Sequence, residues 1–453
     1  MFCDPFGPIQ KPMSFRPNGS TPVNSNVHRT RSFWALLDQG AISAGNFVTT
    51  ILLARGLAAE VYGIYALLFG TILFLNNIHA ALITYPLCVL GAETDEFTLR
   101  RFASRSLSMT ALISVGELFI LSLICLGVHR PHLILPVFAA TIAWQFQESM
   151  RSVFVARIEQ RRALLGDAVS YLGQASVVGL LLLFDRPSLD QVFWIIAATS
   201  VAAFGIQAIQ SRVAPSLIFP ERSLLLGFWK LGGWSLLGKV AGFFTLQALP
   251  WILAFRSGPS GAARFQVLLN ILAVSNPILF GINSLVISTV ARERRASGLR
   301  HSLSVGLQSI KHAMLLIVPY FAIVALVPEL FLIAFYGRHS PYLDEKPLLR
   351  LFAAAYLFEA ASLFGGSFLA GWAEAKALFS LQFWGMAAAI VLALPMIFIW
   401  GLPGAVGGLV IINFTRASRS WYEVWRLWDS QSIGQATTQV LPLAVDLTIP
   451  GGQ

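Results

Sequence analysis

The chain of 453 residues is 56% apolar and 12% charged, with a formal net charge of +10, whereas a soluble globular domain carries about 25% charged residues. So few ions cannot cover a water-exposed surface, which excludes a soluble globular fold. The cations sit in breaks between apolar runs and do not gather on one polar domain, which argues against a nucleic-acid partner; they read as topology signals and contacts to anionic membrane lipids.

Apolar runs of roughly 19 to 30 residues recur along the chain, each long enough to cross a hydrocarbon layer about 30 Å thick. Backbone amides in lipid must be satisfied within their own segment, so the runs are expected to be helices. A β-barrel would require strands of about ten residues with alternating polarity, and the sequence has no such alternation. The expected fold class is an all-α polytopic membrane protein of about twelve transmembrane helices.

Residues 1–32, rich in Pro, Ser and Asn and without the apolar core of a cleavable signal, read as a disordered cytoplasmic tail. Predicted spans follow at 33–54, 61–90, 107–128, 133–155, 163–184 and 192–210, completing an N-terminal lobe over 33–222. A polar link with Pro215, Pro220, Glu221 and Arg222 leads to spans at 228–255, 265–290, 311–327, 348–372, 377–400 and 403–425. These form a C-terminal lobe over 223–428, with a cytoplasmic tail over 429–453. Placing both termini inside puts most of the 32 Lys and Arg on the cytoplasmic side, as the positive-inside rule requires. No break is large enough for a separate catalytic domain. Cys3, Cys88 and Cys125 have no metal-site or disulfide spacing, and neither a metal nor a cofactor is expected.

An internal repeat supports two lobes. Shifting the sequence by 200 positions aligns Leu53 and Ala54 with Leu253 and Ala254, Leu68 with Leu268, Asn76 and Ile78 with Asn276 and Ile278, and Glu93 with Glu293. The Asn and Glu matches are more telling than the apolar ones, which composition alone supplies. Two six-helix halves in the same orientation are a recurrent transporter plan, with the substrate site between them and rocking about it.

At the first connection stands Leu53-Ala54-Arg55-Gly56-Leu57-Ala58-Ala59-Glu60-Val61-Tyr62-Gly63. It resembles the opening signature Leu-Ala-Arg-x-Leu-Gly-Pro-Glu-x-Tyr-Gly of the polysaccharide-exporter branch of the multidrug/oligosaccharidyl-lipid/polysaccharide flippase superfamily. Ala58-Ala59 depart from its Gly-Pro, yet the repeat partner is Gly258-Pro259. The stretch Trp144-Gln145-Phe146-Gln147-Glu148 through Arg151 to Asp167 is also similar to exporters of this branch. The resemblance implies a MATE-like, V-shaped pair of pseudo-symmetric six-helix bundles in the bacterial inner membrane. It further implies flipping of a polyprenyl-diphosphate-linked oligosaccharide, specifically an undecaprenyl-pyrophosphate-linked one, for O-antigen, capsule or exopolysaccharide assembly, alongside a polysaccharide polymerase or assembly proteins. Such a task needs a wet cavity with fixed cations for the headgroup.

Charged residues inside the spans are the candidate site. Lys239 lies deep in the seventh span, where a charge costs at least about 2.5 to 3.5 kcal/mol. It is a cavity cation for a diphosphate or carboxylated sugar, half of a structural ion pair such as one with Asp38, or a sign that the helix boundary is shifted. Asp38, Glu117 and Glu359 are the candidates for coupling a proton or sodium, Asp38 also for binding substrate. Glu148 and Arg151 are three residues apart, so they share a helical face and can pair with each other or contribute to the substrate site. His79 and Asn76, mid-span, line the cavity or serve packing. Arg55, Arg256 and Arg264 either guide an anionic headgroup at the exit or anchor the interface.

Gly233, Gly238 and Lys239 fit a phosphate-loop frame, but Val240 replaces its Ser/Thr and the frame lies inside an apolar span, so ATP hydrolysis is rejected. Gly238 and Gly242 are expected as close-packing positions between helices. Two alternatives to the flippase remain: multidrug or toxin antiport by the same fold, and a membrane-embedded polysaccharide polymerase built on Arg338, His339, Asp344 and Glu345. The repeat has no explanation under the enzyme reading, and the chain is expected not to be an enzyme.

Overall fold

The computed structural model describes residues 25–184, 186–214 and 218–439, and no strand occurs among them. Twelve long helical segments stand among the described residues: α1 (Ser25–Gly56), α2 (Ala59–Ala92), α3 (Glu96–Gly127), α4 (Ile134–Ala156), α5 (Gln160–Phe184), α6 (Leu189–Ser211), α7 (222–257), α8 (259–297), α9 (299–326), α10 (Lys346–Gly371), α11 (375–400) and α12 (Leu402–Gln439). Each matches one predicted span. Eight helical stretches are long and apolar enough to cross a membrane by length and composition alone. Spans α1, α4 and α12 are not among them, and these carry Asp38, the Glu148–Arg151 pair and Arg416. The chain is a multi-pass membrane protein.

Helix ends differ from the hydropathy boundaries. Residues 25–32, expected in the tail, already belong to α1, and α12 continues to Gln439; residues 1–24 and 440–453 lie outside the described residues. The polar stretch 291–310, expected as a link, is helical except at Gly298, whose φ of 84° bends one long rod into α8 and α9. Only glycine takes that backbone angle without steric cost. Hydropathy reports immersion in lipid, whereas the helix ends where its backbone is interrupted.

Packing repeats between the halves. In the first, α4 lies along α6, α3 along α4 and α1 along α5; in the second, α10 lies along α12, α9 along α10 and α7 along α11. The fifth and eleventh segments each contain a π turn, at Ala168–Leu172 and Ala389–Ala393. Such turns often mark functional sites in helices. The two bundles are thus related pairwise, helix by helix.

The halves meet where α2 packs on α8. At the face opposite the chain ends, the far face, Gly63 presses on the carbonyl of Pro259 so closely that a Cβ has no room. The adjacent Tyr62 accepts through its Oη from Asn270 Nδ2 at 2.9 Å, and Arg55 donates to the carbonyls of Ala334 and Phe335. The signature around Leu53 to Gly63 is therefore a contact surface between the halves. Replacing Gly63 by Ala is expected to destabilise the protein by about 1 to 3 kcal/mol through overpacking. Gly116→Ala, where a Cβ meets nothing within 4 Å, leaves thermal stability in detergent unchanged. Equal melting temperatures for the two variants would contradict the close contact.

Candidate functional site

A chamber of about 430 Å³ opens between α2 of the first half and α7, α8, α10, α11 and α12 of the second. Three charges line it: Lys239 from α7, Arg416 from α12 and Glu359 from α10. Arg416 Nη1 and Glu359 Oε2 are 2.7 Å apart and neutralise one another. Lys239 has no ionic partner among the described residues, so the chamber carries one net positive charge. Five amide side chains surround it, Asn77, Gln247, Asn276, Gln382 and Asn413. Gln382 Oε1 is buried without a donor, while Asn413 is held by donating to the Ala355 carbonyl at 3.0 Å. Aromatic rings complete the wall, with Phe74 of α2 against Phe243 of α7, centroids 4.1 Å apart.

Local sequence explains why Lys239 can stand there. Gly238 and Gly242 flank it, and a Cβ at either would meet nothing within 4 Å. The expectation that these glycines pack helices together is therefore corrected: they widen the chamber beside the ammonium. Lys239 also does not pair with Asp38, which is taken by another partner.

That partner is Arg151, at the centre of a second polar cluster inside the first half. Its Nη2 lies 2.9 Å from Asp38 Oδ2, its Nε 2.7 Å from Asp167 Oδ2 and its Nη1 3.6 Å from Glu148 Oε2. Asp38 and Asp167 are 2% and 0% exposed. Asp167 Oδ1 accepts from Gln147 Nε2 at 3.2 Å and Gln207 Nε2 at 3.0 Å. Tyr171, in the π turn of α5, donates to Glu148 at 3.1 Å and accepts from Trp144 Nε1 at 2.8 Å. One guanidinium offsets one of three carboxylates, and Asp38 Oδ1 has no donor. Uncompensated buried charge is costly, so electroneutrality here asks for protons or a bound cation.

The remaining candidates lie elsewhere. Glu117 is buried between α3 and α4, accepting from Gln145 Nε2 at 2.8 Å, with its other oxygen unpartnered. His79 is 1% exposed and bonded to Thr110 Oγ1 at 2.9 Å, within the first half. Both amide atoms of Asn76 are buried without partners, and its neighbour Asn77 faces the chamber instead. At the far face, Arg55 caps helix carbonyls, Arg256 donates to the Phe398 carbonyl at 3.1 Å and Arg264 pairs with Glu345 at 3.4 Å. Of the residues named from sequence, Lys239 and Glu359 line the chamber, while Asp38, Glu148 and Arg151 form the buried cluster. Sequence reasoning missed Arg416, although it lies well inside the predicted span 403–425 and the rule that singled out Lys239 applies to it equally. Asn276 was visible as the repeat partner of Asn76.

No protein-family model matches the sequence, and no curated protein matches it either. Solved structures do. A multidrug resistance MATE family transporter of the MOP superfamily in its inward-facing conformation superposes with a TM-score of 0.66 at 17% identity, over 88% of this chain and 96% of that one. The same description in the outward-facing conformation gives 0.59 at 16%, over 90% and 96%. A MOP superfamily transporter from Pyrococcus furiosus, whose binding pocket of reverse polarity is described as suggesting a different function, gives 0.63 at 15%, over 88% and 94%. At these identities the likeness is one of architecture: the chain has the two-bundle helical fold of MATE transporters of the MOP superfamily.

Proposed function

We propose that the protein is an alternating-access transporter that flips a polyprenyl-diphosphate-linked oligosaccharide across the bacterial inner membrane, with both termini cytoplasmic. The observation that carries this reading is the chamber: an unpaired cation, a second cation held by a carboxylate, and five amides. Amides and aromatic faces suit sugar hydroxyls and rings, and a lysine ammonium suits a diphosphate oxygen. The polyprenyl tail stays in lipid beside the bundle.

Multidrug antiport is the competing reading, favoured by the description of fold neighbours as multidrug resistance transporters. A cationic drug, however, would meet a chamber with a net positive charge. For the polymerase reading, Glu345 is tied to Arg264 at 3.4 Å and Arg338, His339 and Asp344 lie exposed on one loop.

The closed far face supports a state that loads from the side of the chain ends. The Asp38–Arg151–Asp167 cluster is the proposed coupling site, taking up a proton or sodium that the second half does not bind. Glu117 and Glu359 are secondary: the first has one donor, and the second is already neutralised by Arg416.

Deleting the gene and analysing lipid-linked intermediates on each side of the inner membrane tests the function. Accumulation on the cytoplasmic face is expected; normal translocation with unpolymerised repeat units outside would support a polymerase instead. Lys239→Met is expected to lower transport about tenfold or more, the scale of one charge-assisted hydrogen bond, without lowering the amount inserted. Full activity in that variant would remove Lys239 from the substrate site. Asp38→Asn, which keeps a hydrogen-bond acceptor for Arg151, is expected to bind substrate yet no longer respond to a collapsed proton or sodium gradient. Unchanged sensitivity to the gradient would place coupling elsewhere.

A further inference from the structure

A second, larger pocket of about 590 Å³ lies at the face of the chain ends, where the start of α3, the turn after α4 and the end of α6 converge. It shares no lining residue with the chamber. Four arginines line it, 100, 157, 162 and 212, against Asp95, Glu96 and Glu159. Two of these charges on each side cancel: Glu96 pairs with Arg100, and Glu159 with Arg162 at 2.8 Å. Asp95 caps α3 by accepting from the Thr98 amide at 3.2 Å, and the Thr98 hydroxyl, that amide and, to a lesser extent, nearby Arg157 hold its carboxyl below the usual range. Arg157 donates to the Thr94 carbonyl at 2.6 Å. Arg212 is exposed, has a left-handed backbone with φ 54°, and its guanidinium has no partner among the described residues. Arg157 and Arg212 together therefore exceed Asp95 by one positive charge. Gln210, two residues before Arg212, contributes an Oε1 that is buried with no donor.

We propose that this pocket binds a phosphate ester bearing a hydroxyl group. Arg212 and Arg157 would take the phosphate oxygens, and Gln210 Oε1 would accept from the hydroxyl. Basic pockets between transmembrane helices at the membrane surface bind anionic lipid headgroups, and guanidinium groups match phosphate with paired hydrogen bonds. A glycerol-type phospholipid headgroup offers this chemistry at the right depth, and inorganic phosphate offers its anionic part from solution. The position gives occupancy a consequence. Arg212 begins the link between the halves, which α3 holds through Arg101 on Glu221, Ser104 on the Ala214 carbonyl at 3.0 Å and Arg105 on the Phe219 carbonyl. A bound headgroup would fasten the origin of that link to the first half.

The test uses the full-length protein in nanodiscs of phosphatidylcholine with and without phosphatidylglycerol, read by native mass spectrometry, with inorganic phosphate as a separate probe. Wild type is expected to retain phosphatidylglycerol, Arg212→Gln to weaken retention about tenfold, and Arg212→Lys to keep most of it. The Arg212 side chain makes no bond the fold relies on, so the melting temperature in phosphatidylcholine should match wild type. Independently of any variant, phosphatidylglycerol should raise the wild-type melting temperature. Phosphate binding with the same Arg212 dependence, without lipid retention, would support the site with a soluble ligand. Retention unaffected by Arg212→Gln, or no binding and no thermal shift with either probe, would overturn the proposal.

Discussion

A charge inside a membrane must be paired or wet, because hydrocarbon offers it nothing else. That constraint organises the structure. In the first half Asp38, Glu148 and Asp167 are drawn together about the single guanidinium of Arg151. In the second half, Arg416 and Glu359 cancel each other as a contact pair on the chamber wall, and Lys239 is left facing open space between two glycines. A lysine without an ionic partner is tolerable at that depth only if water or an anionic ligand reaches it. The chamber is therefore polar by necessity, and the aromatic rings and amides around it follow from what such a chamber must hold.

The two halves share a helical plan and diverge in electrostatics. Segments α4 and α6 pack as α10 and α12 do, and the fifth and eleventh segments both carry a π turn. In the first half that turn positions Tyr171 over Glu148, beside an acidic excess. In the second, the charges lining the chamber among the described residues are Lys239, Arg416 and Glu359, and the excess is positive. Under the proposed function, the first half would respond to a small cation and the second to an anionic headgroup. The contact at Gly63, Tyr62 and Arg55 holds the two bundles together at the far face.

Much of this was legible in the sequence. Twelve apolar runs gave twelve segments, since lipid leaves the backbone no alternative to helix. The repeat of Asn76 at Asn276 pointed to the chamber wall, although the neighbouring Asn77, and not Asn76, faces it. Other features were out of reach for physical reasons. Asp38 and Arg151 are far apart in the chain, and no local pattern reveals that α1 and α4 bring them to 2.9 Å. Glycines at helical spacing are the same sequence signal whether they admit a neighbouring helix or leave space for a ligand. Gly63 does the first, and Gly238 does the second. The polar stretch around Gly298 looked like a loop because hydropathy cannot distinguish a helix standing in water from no helix.

Transport as proposed requires that the cationic chamber be wet and be reached from the face of the chain ends. A membrane-impermeant thiol reagent applied to Asn276→Cys, in a background lacking the native cysteines, tests it directly in sealed vesicles of both orientations. Labelling is expected from the face of the chain ends, with protection by a polyprenyl-diphosphate sugar and loss of that protection when Lys239 is neutral. A cysteine at position 276 that stays unlabelled from both sides would mean the chamber is dry and offers no path to a headgroup.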